Sequence, residues 1–113
     1  MADPVMVRQG DVLLVPVAAI PGAATPVPRD GGRVVLAYGE VTGHAHAIDS
    51  QAARQVEAAD GRYLEVAEPA TLAHEEHAAI AVAPGTYRIV IQREYTPPDL
   101  TLADGRDWRR VAD

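Results

Sequence analysis

The chain has 113 residues, enough for one domain with a real core and too few for two. Its 48% apolar content comes mostly from Ala and Val, with no Phe and one Trp, so small side chains must build the interior. A net charge of −6 with no basic stripe argues against binding to nucleic acid, and the lack of Cys removes disulfides, thiolate metal sites and thiol nucleophiles.

No stretch approaches the roughly 18 apolar residues of a membrane span, and the N-terminus carries no signal-like run. The expectation is a soluble, cytoplasmic, single-domain protein over 1–113, with no membrane partner. The first element, QGDVLLVPV, starts at a turn-like Gly10-Asp11 and continues as a strand, with Pro16 marking an edge or bulge. Residues 18–32 hold three prolines and three glycines and read as a long irregular Pro-rich loop, a lid or a partner contact.

Strand character returns in RVVLAYGE at 33–38 and again in HAHAID after Gly43. SQAARQVEAA is the one segment that allows a short helix. QVEAADGRYLEVA reads as a hairpin about Asp60-Gly61, the dipeptide favoured in type I′ turns. PATLAH and HAAIAVA read as strands meeting at Glu75-Glu76, and Pro84-Gly85 turns the chain once more. TYRIVIQREY then alternates, with Tyr87, Ile89 and Ile91 on one face and Arg88 and Gln92 on the other. A last hairpin is expected about Asp104-Gly105, with Trp108 as its cover or as a core plug. The fold class is all-β: a single small barrel or roll of about eight to nine short antiparallel strands.

All four histidines fall in two tight pairs. In a strand, residues i and i+2 share a face, so His44 and His46 project side by side past Ala45. His74 and His77 converge only if Glu75-Glu76 forms a turn, of type I or helical kind because two glutamates resist the positive φ of a primed turn. Imidazole suits Zn, Cu, Fe and Ni, so His44, His46, His74 and His77 are the expected ligands of a divalent transition metal, Zn, Fe, Ni or Mn, with its identity open. Glu75, Glu76, Glu40 or Asp49 would add a carboxylate, and Glu75 and Glu76 are the candidate catalytic proton acceptors.

At GHAHAI the chain resembles the cupins, small β-barrels whose first motif supplies two metal ligands as H-x-H after a glycine. The likeness covers residues 39–49 and the Pro84-Gly85 turn. Cupins carry a glutamate four or five residues after the second histidine, where this chain has Ser50 and Gln51, and a histidine after the P-x-G turn, where this chain has none. Only His44 and His46 match, so the resemblance implies a cupin-like barrel and two ligands, not a whole site.

The blocks QGDVLLVPV, GEVTGHAH and HEEHAAI followed by APGTYRIVIQREYTP resemble, in this order, a family of small uncharacterised bacterial and phage-borne proteins, over 8–97. That resemblance implies no reaction. Two functions follow from the residues: a divalent-metal protein of cupin-like, metal-dependent enzyme type, or a non-catalytic interaction module whose histidines are structural. Its partner is then a small molecule or a protein, and a homo-oligomer is compatible with either.

Overall fold

The computed structural model describes residues 3–39 and 43–92. Ten strands run in chain order: β1 (Val7–Gln9), β2 (Val12–Val17), β3 (Ala24–Pro26), β4 (Val34–Tyr38), β5 (Ala45–Ile48), β6 (Ala53–Ala58), β7 (Gly61–Val66), β8 (Ala70–His74), β9 (His77–Val82) and β10 (Gly85–Ile91). All pairings are antiparallel. Among the described residues no helix is long and apolar enough to cross a membrane.

The strands form two sheets, one of six in the order β1-β2-β10-β7-β6-β3 and one of four in the order β4-β5-β8-β9. The all-β expectation holds; of the barrel or roll expected, no closed barrel is found among the described residues. Hairpins are dealt alternately to the two sheets: β1–β2 and β6–β7 to the first, β4–β5 and β8–β9 to the second. No hydrogen-bonded ladder between described strands joins the sheets, so they pack as open layers on a shared core.

That core takes Val12, Leu14, Leu64, Tyr87 and Ile89 from the first sheet and Val34, Leu36, Ile48, Leu72 and Val82 from the second. With no Phe in the chain, Tyr87 is its largest fully buried side chain. Its hydroxyl donates to the Ala83 carbonyl at 2.5 Å, which satisfies the polar tip, and burial pushes the phenol pKa up.

Two side-chain amides stitch the layers together. In β4 the register slips between Val35 and Ala37, and the carbonyls freed there are taken from the opposite sheet. Buried Gln55 of β6 donates to Val35 O at 3.0 Å, and Arg62 of β7 donates to Leu36 O at 2.9 Å and to Gln55 Oε1 at 2.6 Å. In β8 the slip falls between Leu72 and His74, and Gln9 of β1 donates to Leu72 O at 3.0 Å.

Several local expectations need correction. Within SQAARQVEAA, Ala53–Ala58 form strand β6, not helix, because the ladder with β7 buries both faces: Ala53 joins the shared core, while Val56 and Ala58 pack with Tyr63 on the other side. The β6–β7 hairpin turns at Ala59-Asp60, one residue earlier than expected, since Ala58 pairs with Gly61. Asp60 is instead the turn's acceptor: its carboxylate takes Tyr63 OH at 3.0 Å and Arg88 Nη1 at 3.1 Å. The segment 18–32 is not wholly irregular, for β3 adds to β6 and Val27 N–H donates to Gln55 O at 2.8 Å. Arg29 then ties it down by donating to Ser50 O at 2.9 Å and Ala53 O at 2.5 Å. The Asp104-Gly105 hairpin, Trp108 and Glu40 lie outside the described residues.

Candidate metal centre

Two hairpin turns and one strand build the histidine cluster. The β8–β9 turn is Glu75-Glu76, and His74 pairs directly with His77 across it. Neither glutamate has positive φ, so the turn is unprimed, as the residue types demand. Cross-strand pairing brings the two rings to a 4.7 Å centroid separation. His44 precedes β5 and His46 lies within it, and both rings reach His74, at 5.8 and 4.3 Å.

The cluster is not one four-histidine site. Ligand atoms of His46, His74 and His77 lie within 4.8 Å of one another and form an inner triad. A second set, His44, His74 and Glu75, meets the same criterion and forms an outer triad. His74 belongs to both. Either set could hold a metal ion. Glu76 belongs to neither; its Oε2 stands 3.7 Å from His44 Nδ1, and its side chain is 63% exposed.

Over the inner triad sits a turn that the histidine pattern could not reveal. Gln9 pairs with Val12, so Gly10-Asp11 is the two-residue loop of the β1–β2 hairpin. Gly10 has φ 59°, which fits the first central position of a type II′ turn. A Cβ on Gly10 would stand 2.8 Å from His77 Nε2 and 3.2 Å from His46 Cε1. Only glycine suits both the backbone and the space.

Gln9 settles the chemistry of His46. Its amide nitrogen donates to Leu72 O and to Ala78 O, both at 3.0 Å, so its oxygen must be the acceptor facing His46 Nδ1 at 2.9 Å. His46 therefore carries its proton on Nδ1, and Nε2 presents a lone pair. That lone pair faces another acceptor, Asp11 Oδ1, at 3.5 Å. Two donors each about 2.0–2.1 Å from a tetrahedral ion stand roughly 3.3–3.4 Å apart, so this spacing is close to a ligand pair.

Burial, and then the charge of nearby His74, hold the His46 pKa below its usual value, although the Asp11 carboxylate works against them. The ring is therefore kept neutral, the form that ligates. The same shift sets a pH dependence of stability. The unfolded chain takes up a proton near the ordinary value of about 6.5 that the folded ring resists. Stability is then complete above that value and is lost as pH falls through it toward the lowered one. Chelator-treated protein should melt at progressively lower temperature from pH 7 to 5, with a shallower slope in His46→Gln. Equal slopes in the two proteins would contradict this.

In the outer triad, Glu75 accepts the Ala45 N–H at 2.9 Å. That bond, with lesser help from the charges of His44 and His74, lowers the carboxyl pKa and keeps the group ionised. His44 Nδ1 is buried without a hydrogen-bond partner among the described residues. Asp49, an early candidate for the carboxylate, lies just beyond the far end of β5 from His44 and is in neither triad. Gln9, Gly10 and Asp11 escaped the sequence reading as site residues, although QGD was legible as a turn.

Residues 8–92 match a family described as a domain of unknown function, DUF8820. The chain belongs to this family. The matched region takes in Gln9, Gly10, Asp11 and all four histidines, so both triads and the turn above them lie within the DUF8820 domain. No curated protein matches the chain significantly, and neither does any solved structure.

Proposed function

We propose that this protein binds a divalent transition-metal ion, Zn, Fe, Ni or Mn, through His46, His74 and His77, with Asp11 at its side. One observation carries the reading: Gln9 fixes the Nδ1–H form of a buried, neutral His46, which turns its lone pair toward the other donors. The donor set of imidazoles and one carboxylate suits these ions. Binding would also join the sheets, since Asp11 comes from the first and the histidines from the second.

Geometry at the metal separates the two functional classes. Three imidazoles and Asp11 fill a tetrahedral ion and leave no place for substrate; an octahedral ion keeps two positions open. The catalytic reading is favoured by solvent access, because His77 and Glu76 are exposed and Glu76 stands beside His44. In that reading the ion supplies Lewis acidity and Glu76 accepts the proton, while Glu75 stays tied to the Ala45 N–H. The structural reading is favoured by the bridge between sheets.

The test is elemental analysis of untagged protein, followed by melting curves with Zn, Ni, Co and Mn. At an ion concentration about 100 times Kd, linkage predicts roughly 2.7 kcal/mol of added stability. His46→Ala should remove most of that gain, and the gain should fade below about pH 6 as imidazoles protonate. If no ion copurifies and none raises the wild-type melting temperature, the proposal fails.

A further inference from the structure

The outer triad has features that a single buried site leaves unexplained. It shares His74 with the inner triad, yet it adds the exposed Glu75 carboxylate and a His44 whose Nδ1 is buried with no hydrogen bond among the described residues. A buried nitrogen left unsatisfied is destabilising, so a ligand that engages it has a standing advantage. The inner triad differs in access. Within it His77 is exposed, but His46 is 3% exposed and lies beneath the Gly10-Asp11 turn, whereas Glu75 stands open to water.

His74 limits how the two triads can be used. A neutral imidazole has one lone pair. In His74 the Nδ1 accepts the Glu76 N–H at 3.0 Å, so an ion binding at that lone pair must displace this bond. The ring can then serve one ion, on one side, at a time. Its freedom is also bounded: the His46 ring lies 4.3 Å away, and its Nε2 would be 3.3 Å from a Cβ on Gly39. Short reorientation between neighbours is open to it; wide excursion is not.

We propose that His44, His74 and Glu75 form a capture seat, which takes a divalent ion from solvent and passes it through His74 to the His46–His74–His77 seat, of which His46 is the buried member. The transfer is ligand exchange without redox change. Bonds to His44 and Glu75 break, bonds to His46 and His77 form, His74 remains bound, and no net proton is released if all rings stay neutral. The chain then holds one ion at a time in two alternative positions. This rests on the metal-binding reading above.

The experiment uses the full chain, stripped of metal, and Co²⁺ alone as probe, followed by its absorption at equilibrium and in stopped flow. Wild type should bind one equivalent. His46→Ala, checked for fold by circular dichroism, should still bind one equivalent, weakened about tenfold or more, which corresponds to about 1.4 kcal/mol. Glu75→Gln keeps an oxygen for the Ala45 N–H and loses only charge. That variant and His44→Ala should slow association about tenfold, more than they lower affinity, so that dissociation slows with it. His74→Ala should abolish both seats.

A folded His46→Ala that binds no Co²⁺, association unchanged in both His44→Ala and Glu75→Gln, or two equivalents in wild type each overturns the capture seat while leaving a metal protein. No binding by wild type removes the metal reading itself, and the capture seat with it.

Discussion

Gln9→Leu should destabilise the fold more than any other single polar substitution among the described residues. The amide makes three bonds from a side chain only 2% exposed: it donates to Leu72 O and Ala78 O and accepts from His46 Nδ1. Leucine fills the space and satisfies none of the three groups. Each orphaned buried group costs about 1–3 kcal/mol, so a loss above about 3 kcal/mol is expected from a total that is typically 5–15. Gln9→Glu separates two roles, since it keeps an acceptor for His46 and loses both donors. It should be destabilised as well, yet retain the Nδ1–H tautomer, whereas Gln9→Leu should not. Urea midpoints read the first effect and imidazole nitrogen shifts the second. A Gln9→Leu protein within about 0.5 kcal/mol of wild type, the range of ordinary surface changes, would refute the argument.

Gly10→Ala should remove the metal-induced rise in melting temperature. Two costs combine there. At φ 59° an alanine pays about 1 kcal/mol for the left-handed backbone, and its Cβ would press on the His77 ring at 2.8 Å and the His46 ring at 3.2 Å. Gly31 supplies the control, with φ 61° and nothing within 4 Å of its Cβ position. Gly31→Ala should carry the backbone cost alone and keep the full response to Zn or Co. Melting curves with and without metal decide the matter; equal responses in the two variants would mean that space above the histidines is irrelevant.

The parts of this site that were legible in the sequence are the local ones. His74 and His77 had to meet once Glu75-Glu76 was a turn, because the pairing partner lies within three residues. The reach of His44 and His46 toward one side follows from the period of a strand. Gln9, Gly10 and Asp11 were hidden because their relation to the histidines depends on how a first-sheet hairpin lies against the second sheet. A glutamine has no spacing rule that marks it as an imidazole's partner.

The architecture failed to show for a similar reason. Alternation in TYRIVIQ tells which residues face inward, and Tyr87 and Ile89 do. It does not tell which strands pair, and a closed barrel and two open layers bury the same alternating residues. The strand β3 was missed because its residues are all exposed and its pattern is broken by Pro26. The misplaced turn at Asp60-Gly61 has a particular cause. Gly61 lies just past the turn at φ 143°, a backbone conformation that side-chain-bearing residues rarely adopt. Arg88 Nη2 also comes to 3.3 Å of its Cβ position, so glycine serves the first residue of β7 and not the turn itself.

The position of β10 between β2 and β7 has a consequence for the order in which the molecule assembles. Ile91 pairs with Val12 and Thr86 with Val17, contacts that span 79 and 69 residues by subtraction of their numbers. Closing loops of that length is slow, and chains dominated by such pairings fold in roughly milliseconds to seconds. During synthesis the histidine hairpin emerges before β10, yet the Asp11 carbonyl gains its bond from Gln92 N–H only when the strand after it has been made. The growing chain therefore exposes its histidines to the surrounding ions well before the roof above them is fastened. Under the proposed metal-binding function, the ion a mature molecule took up would then be chosen partly by what is abundant at the ribosome exit, and not by affinity alone.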